Sequence, residues 1–383
     1  MNDNKSLRHG FPVGYHKFHR KKLYNFQLNR LYNFAGADLR DLEEAAGNIS
    51  SFRTWKEQML RLAEKAESKG NLIQAAFCYA AAGFYLFDDM DEKDRLYRRF
   101  RDLFNTAAEE TGLKRFNAPY RDSYLPGIRM EPHGKKKQVI VLHGGFDSFI
   151  EEFYLMTRYF AGRGYEVIAF EGPGQGAARR ECGFTFDIEW EKPVRAVIDH
   201  FSVEDVTLIG LSMGGWLCLR AAAFEPRVSR VIASGHAVDY MKSMPGFFYR
   251  IHKWFLEHHP EFMGRMAEWK FGGSRENMAT WMVQQLKYIT GEDKAMDALE
   301  TYVMMNGRNI HSELVRQDVL LLLGEKDHFI PLKMLKMQEK ALTVARSVTT
   351  RIFTEQEHAH NHCQIGNIGL SLEVMDEWME SIT

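Results

Sequence analysis

The sequence predicts an α/β fold in which a mostly parallel central sheet is flanked by helices, with one helical segment before the sheet and another inserted within it. Three observations predict it. From about residue 116, short apolar runs alternate with amphipathic stretches, the βαβ order of a sheet covered on both sides. The runs are continuously apolar rather than alternating, as strands buried on both faces are. At 383 residues and 45% hydrophobic, the chain exceeds one average domain and supplies a sizeable core.

The opening stretch MNDNKSLRHGFPVGYHKFHRKK is polar and basic, without the apolar run of a signal peptide, and no segment is long and apolar enough to span a bilayer. A soluble cytoplasmic protein is expected. Lys and Arg total 50 against 51 Asp and Glu, a net charge of −1 that offers no field for nucleic acid or an anionic membrane. A small molecule is the expected partner. Cys78, Cys182, Cys218 and Cys363 lie far apart, without zinc-site or disulfide spacing, which suggests a reducing compartment. The basic aromatic stretch YHKFHRKKLYNFQLNRLYNF reads as the solvated side of a helix rather than a nucleic-acid arm. Next, SSFRTWKEQMLRLAEKAESKG places Trp55, Met59, Leu62, Ala63 and Ala66 on one helical face and closes at Gly70. A second helix follows in NLIQAAFCYAAAGFYLF, and no further copy at a fixed period suggests a repeat protein.

The strands then read KQVIVLHGG, YEVIAFEGPGQG, VTLIGLS, VSRVIASG, DVLLLLGEKD and VTTRIFTE. In open α/β sheets the working groups gather at the carboxyl ends of strands, so the residues closing these runs matter most. One run closes as VTLIGLSMGGW, residues 206–216. A strand turning sharply into a helix forces the apex residue into strained angles that only small neighbours surround, and Gly210 and Gly214 are those neighbours. Ser212 at such an apex is a nucleophile candidate; a helix start capped by serine is the plainer alternative. Asp327 ends LLLLGEKDHFIP on a loop before Pro331, where a triad acid would stand. His358, His360 and His362 in TEQEHAHNHCQIGN precede the last helix, and one of them is the expected base. The order Ser, Asp, His is the one this arrangement takes on such a sheet.

A serine hydroxyl is a poor nucleophile until a histidine accepts its proton, and the aspartate holds the imidazole tautomer and stabilises its cation. The tetrahedral oxyanion needs donors: the Met213 amide, and one from the turn in LHGGFDS. Gly145 is the choice for the second, because its backbone can approach the substrate closely; Phe146 is the nearest rival. Phe146 and Asp147 are also candidate substrate contacts, while Ser148 and Glu151 have the spacing of a capping box. HAHNH has alternate histidines but no accompanying carboxylate motif, so no metal site is expected. EGPGQG lacks dinucleotide-loop spacing and reads as a turn.

HGGFDSFIEE, EGPGQG, GLSMGG, GEKDHFIP and HCQIGN together resemble the α/β-hydrolase family that contains 2,6-dihydroxypseudooxynicotine hydrolase, polyketide-shortening hydrolases and esterase-like relatives. The likeness runs over roughly residues 50 to 380. It implies an α/β-hydrolase fold with an N-terminal helical domain and a helical cap insertion, Ser212 as nucleophile, Asp327 as acid and His362 as base, no cofactor, and often a dimer. Members hydrolyse esters in some cases and carbon–carbon bonds beside a ketone in others, the latter with an extra cap carboxylate. Asp239, Glu257, Glu261 and Glu268 are the candidates for it here.

About seventy residues separate the strand ending near Gly235 from the one starting near Asp318, far more than a direct crossover needs. Between Met241 and Met305 the insert holds 9 of the 19 methionines, with Trp254, Trp269 and Trp281, as an apolar lid over an adaptable pocket would. His236 and Asp239, at its start, stand where they could reach the site or could simply satisfy a turn. The expected organisation is a helical domain over 1–115, core over 116–239 and 313–383, and a cap over 240–312. The expected function is hydrolysis of an apolar or aromatic acyl or ketone substrate, an ester first and a diketone or polyketide-like carbon–carbon bond second. A peptidase or a ligand-binding protein on this fold ranks below both.

Overall fold

The computed structural model describes residues 7–243 and 276–382, together with single positions 254, 258, 259, 261, 262 and 266. Five helices precede the sheet: α1 (Lys22–Ala35), α2 (Leu39–Asn48), α3 (Phe52–Ser68), α4 (Leu72–Ala82) and α5 (Met90–Ala108). On α3 the five apolar residues named above are buried, and Gln58 joins them. Its start is a capping box in which Ser51 Oγ accepts the Thr54 N–H at 3.1 Å and Thr54 Oγ1 accepts that of Ser51 at 2.9 Å. These helices share an aromatic core around Tyr24, Trp55 and Phe100, which also takes in Tyr154 and Trp281 from later in the chain.

Helix α1 differs from expectation. It is not the solvated side of anything: Leu23 to Asn29 and Leu31 to Asn33 are all buried. Its asparagines are satisfied by backbone, Asn29 Oδ1 accepting the His16 N–H at 2.7 Å and Asn33 Oδ1 that of Gly366 at 3.0 Å. Polar composition here marks a helix sewn into the interior.

The sheet contains β1 (Lys114–Tyr120), β2 (Ser123–Met130), β3 (Val139–His143), β4 (Glu166–Phe170), β5 (Val206–Leu211), β6 (Val228–Ser234), β7 (Asp318–Gly324) and β8 (Ser347–Phe353). Their order is β8-β7-β6-β5-β3-β4-β2-β1. From β8 to β4 every pairing is parallel, while β2 runs antiparallel to both β4 and β1. The six apolar runs are all strands. The antiparallel pair β1 and β2 is an addition, and β8 departs from the doubly buried expectation because it is the sheet's edge, where only Phe353 is buried. Covering helices are α6 (Tyr154–Gly162), α7 (Glu191–Phe201), α8 (Met213–Phe224), α11 (Lys333–Ala341) and α12 (Ile368–Ser381). Between β6 and β7 lie α9 (Met278–Thr290) and α10 (Ala295–Met304). No helix among the described residues is long and apolar enough to cross a membrane.

Candidate active site

Strand β5 delivers Ser212 to the apex between sheet and α8 at φ 60°, ψ −128°, a region that side chains rarely enter. Hydrogen bonds on both sides hold it there: Ser212 N–H to Ser234 O at 2.7 Å and Gly215 N–H to Ser212 O at 2.9 Å. The flanking glycines are demanded by space. A methyl on Gly210 would sit 2.0 Å from Gly214 O, and one on Gly214 would sit 2.4 Å from Gly144 O. Gly210→Ala should therefore destabilise the fold by about 3 kcal/mol, the upper range for overpacking, as measured by denaturant unfolding. Wild-type stability would show that the elbow gives way freely.

After β7, the side chain of Asp327 is wholly buried. Its Oδ1 accepts the N–H groups of Phe329 at 2.8 Å and Ile330 at 2.9 Å, leaving Oδ2 for His362 Nδ1 at 2.7 Å. His362 Nε2 then lies 2.8 Å from Ser212 Oγ. Burial of the imidazole opposes its charged form, but the Asp327 carboxylate and the adjacent Cys363 together outweigh that and hold His362 well above the ordinary histidine value. The other two histidines of the loop go elsewhere. His358 occupies a turn at φ 59°, and His360 Nε2 pairs with Asn361 Nδ2 at 3.0 Å.

The turn after β3 packs against the elbow, a methyl on Gly145 falling 2.7 Å from Met213 N. The Gly145 N–H makes a long 3.3 Å contact with Ser148 Oγ. Ser148 and Glu151 do not form the expected capping box. Glu152 Oε1 instead accepts the Phe149 N–H at 3.3 Å, and Glu151 is drawn inward to Arg115 at 2.8 Å.

Ser212 and His362 open onto a cavity of about 290 Å³. Its wall is mostly apolar, with Phe26 and Phe34 from α1, Met278 and Trp281 from α9, Tyr302 from α10, and Phe146. One end is charged: Arg30 donates to Asp147 Oδ2 at 3.0 Å and Glu152 Oε2 at 2.6 Å. Burial raises the Glu152 carboxyl above its ordinary value, with Arg30 opposing. Phe26, Arg30, Phe34 and Glu152 were not among the expected site residues, although Phe26, Arg30 and Phe34 share one stripe at helical i, i+4 spacing.

Two expected contacts are corrected. His236 is buried beneath α8 with Nε2 3.3 Å from Gln338 Oε1, and burial pushes it down to about 4. Asp239 turns to Lys242, accepting its N–H at 3.1 Å. Neither lines the cavity, their polar atoms being taken by Gln338 and the Lys242 backbone; Tyr240 reaches it instead. Glu257, Glu268 and Trp269 lie outside the described residues, and Glu261 is exposed.

Comparison with known proteins follows the same lines. Alpha/beta hydrolase ucsC of Acremonium sp is 28% identical over 293 residues, 62% of this chain but 59% of that protein, so the chain spans less than two thirds of that relative's length. The 20-hydroxy-prefusarin hydrolase FUS2 of Gibberella moniliformis is 28% identical over 314 residues, 72% of each chain. The crystal structure of 2,6-dihydroxy-pseudo-oxynicotine hydrolase shares the fold at a TM-score of 0.64 and 22% identity, covering 91% of this chain and 94% of that one. A family model described as the alpha/beta hydrolase family matches residues 139–362, more than half of the sequence. With its sheet order, its strained serine at the end of β5 and this match, the chain belongs to the alpha/beta hydrolase family of enzymes.

Proposed function

We propose that the protein is a serine hydrolase acting on an apolar small-molecule carbonyl substrate, a carboxylic ester first of all. The observation that carries this is the continuous chain Asp327–His362–Ser212, with links of 2.7 and 2.8 Å, at the wall of a largely apolar cavity. His362 Nε2 takes the Ser212 proton as Oγ attacks the carbonyl carbon. The oxyanion is received by the Met213 N–H and by an N–H of the facing turn, Gly145 first and Phe146 as its rival. The 3.3 Å contact of Gly145 with Ser148 Oγ is weak enough for an oxyanion to displace. Collapse expels an alkoxide that His362 protonates, and water repeats the sequence to release the acid. No step calls for a cofactor or metal. A cytoplasmic location, no nucleic-acid or membrane partner, and a homodimer belong to the same reading.

A second reading rests on Asp147 and Glu152. Carbon–carbon cleavage expels a carbanion or enolate, which needs an acid beside the departing carbon, and these carboxyls stand in the cavity wall. Both, however, have an oxygen taken by Arg30, Asp147 Oδ2 at 3.0 Å and Glu152 Oε2 at 2.6 Å, rather than turned to a departing carbon. Ester hydrolysis is therefore ranked first. The expected result is that medium-chain or aromatic acyl esters turn over with an acyl-enzyme burst, and that Glu152→Gln leaves their kcat within about tenfold, well short of a triad loss. Efficient cleavage of a 1,3-diketone, with esters poor and Glu152 indispensable, would establish the second reading instead.

A further inference from the structure

The EGPGQG stretch that follows β4 has no part in the chemistry above, yet its glutamine reaches the catalytic turn. Gln175 is buried; its Oε1 accepts the Gly172 N–H at 3.0 Å, which fixes which end of the amide donates. Its Nε2 gives hydrogen bonds to two successive carbonyls, Gly144 O at 2.9 Å and Gly145 O at 3.1 Å. A second amide takes the next carbonyl, Gln285 Nε2 to Phe146 O at 2.9 Å, from helix α9 of the insertion.

In a trans peptide the carbonyl of one residue and the N–H of the next point in opposite directions within one rigid plane. Holding Gly144 O therefore aims the Gly145 N–H, and holding Gly145 O aims the Phe146 N–H. Gln175 thus reaches both peptide planes, sharing Gly144 O with the His143 ring, whose Nδ1 lies 3.0 Å away, and holding Gly145 O itself. The elbow packs against one side of the turn, but another side borders a separate cavity of about 50 Å³, which Ser212 does not line and which is bounded by Gly145, Phe146, Gln175 and Gln285. A turn backed by a void has room to rotate its peptide planes unless hydrogen bonds prevent it.

We infer that Gln175 and Gln285 are positioning residues that orient the 144–146 turn for oxyanion stabilisation, Gln285 tying that orientation to the seating of α9. The inference rests on the serine-hydrolase reading. Phe146 reinforces the tie, since its ring meets Trp281 of the same helix edge-on at 5.8 Å. The role is felt only when the carbonyl oxygen becomes an anion, so it belongs to the transition state and not to substrate binding.

The experiment compares Gln175→Met, Gln175→Glu and Gln285→Met with wild type, using an aromatic acyl ester and a trifluoromethyl ketone whose hemiketal places an oxyanion in the site. Gln175→Met should lower kcat by about 10- to 100-fold, less than the full loss of one oxyanion donor, with KM within about twofold. The ketone's inhibition constant should rise by the same factor as kcat falls. Gln175→Glu keeps the shape and loses the donor, so it should behave like the methionine variant, and Gln285→Met should show the same pattern with a smaller amplitude. If Gln175→Met fails to fold, the half-buried Gln285 position carries the test. Losses that fall on KM alone, a lower kcat with unchanged ketone affinity, or wild-type behaviour would overturn the inference. Ser212→Ala run in parallel separates the two levels: an active Ser212→Ala protein refutes the serine-hydrolase reading itself, whereas an inactive one beside unaffected glutamine variants refutes only the positioning role.

Discussion

Ser212→Ala should lower turnover by about 10⁶-fold, the scale on which removal of a triad nucleophile acts, because nothing else at the elbow can form the acyl-enzyme. The fold should survive the change. Ser212 Oγ makes its hydrogen bond with His362, while its backbone is held independently by Ser234 O and Gly215 N–H. An unchanged unfolding midpoint beside lost activity is the expected pair of measurements. Residual turnover within about tenfold of wild type would mean that the reaction proceeds without this serine.

His362→Ala should be about as severe, since a nucleophile without its base is nearly inert and triad members act as a unit. His358→Ala and His360→Ala should retain most activity, because neither ring hydrogen-bonds Ser212 or Asp327 and each has its own place in the loop. The pH dependence has a definite sign. The base works when neutral, so kcat/KM should rise with pH through a single titration. Asp327, with Cys363 beside it, stabilises the imidazolium by more than burial opposes it, so the midpoint should lie above the ordinary histidine value of about 6.5. Asp327→Asn removes that stabilisation and should lower the midpoint together with the rate. A bell centred below that ordinary value, or a profile indifferent to Asp327, would contradict the assignment of base and acid. Chelators should leave all of these rates unchanged.

The parts of this molecule that were legible in the sequence are those whose physics is local. Runs such as VTLIGL and DVLLLL are strands because they are apolar throughout, and both are buried along their whole length. Ser212 and Asp327 stand out as candidates because each closes such a run, where a parallel sheet presents its working groups, whereas only the family resemblance singles out His362 from His358 and His360. Parts that depend on distant partners were not legible. β1 and β2 read KRFNAPY and SYLPGIRM, with no continuous apolar run to announce them, and they exist because they pair with each other and with β4. Helix α1 looked solvated because its buried face carries Asn25, Asn29 and Asn33, whose partners lie far along the chain or on the preceding segment. For that reason Phe26 and Arg30 entered the site unannounced. His236 and Asp239 show the converse: they stand near the site in sequence order, but their side chains are taken by Gln338 and Lys242.

The central claim is that Ser212 forms a covalent bond with the substrate's carbonyl carbon, and trapping that bond tests it most directly. The intact protein should be treated with an aryl organophosphonate, digested, and its adduct placed by tandem mass spectrometry. A single adduct on Ser212, formed in step with loss of activity, suppressed in His362→Ala and absent from Ser212→Ala, is the expected result. An adduct on another residue that accounts for the inactivation, or full activity after Ser212 has been quantitatively modified, would contradict the claim.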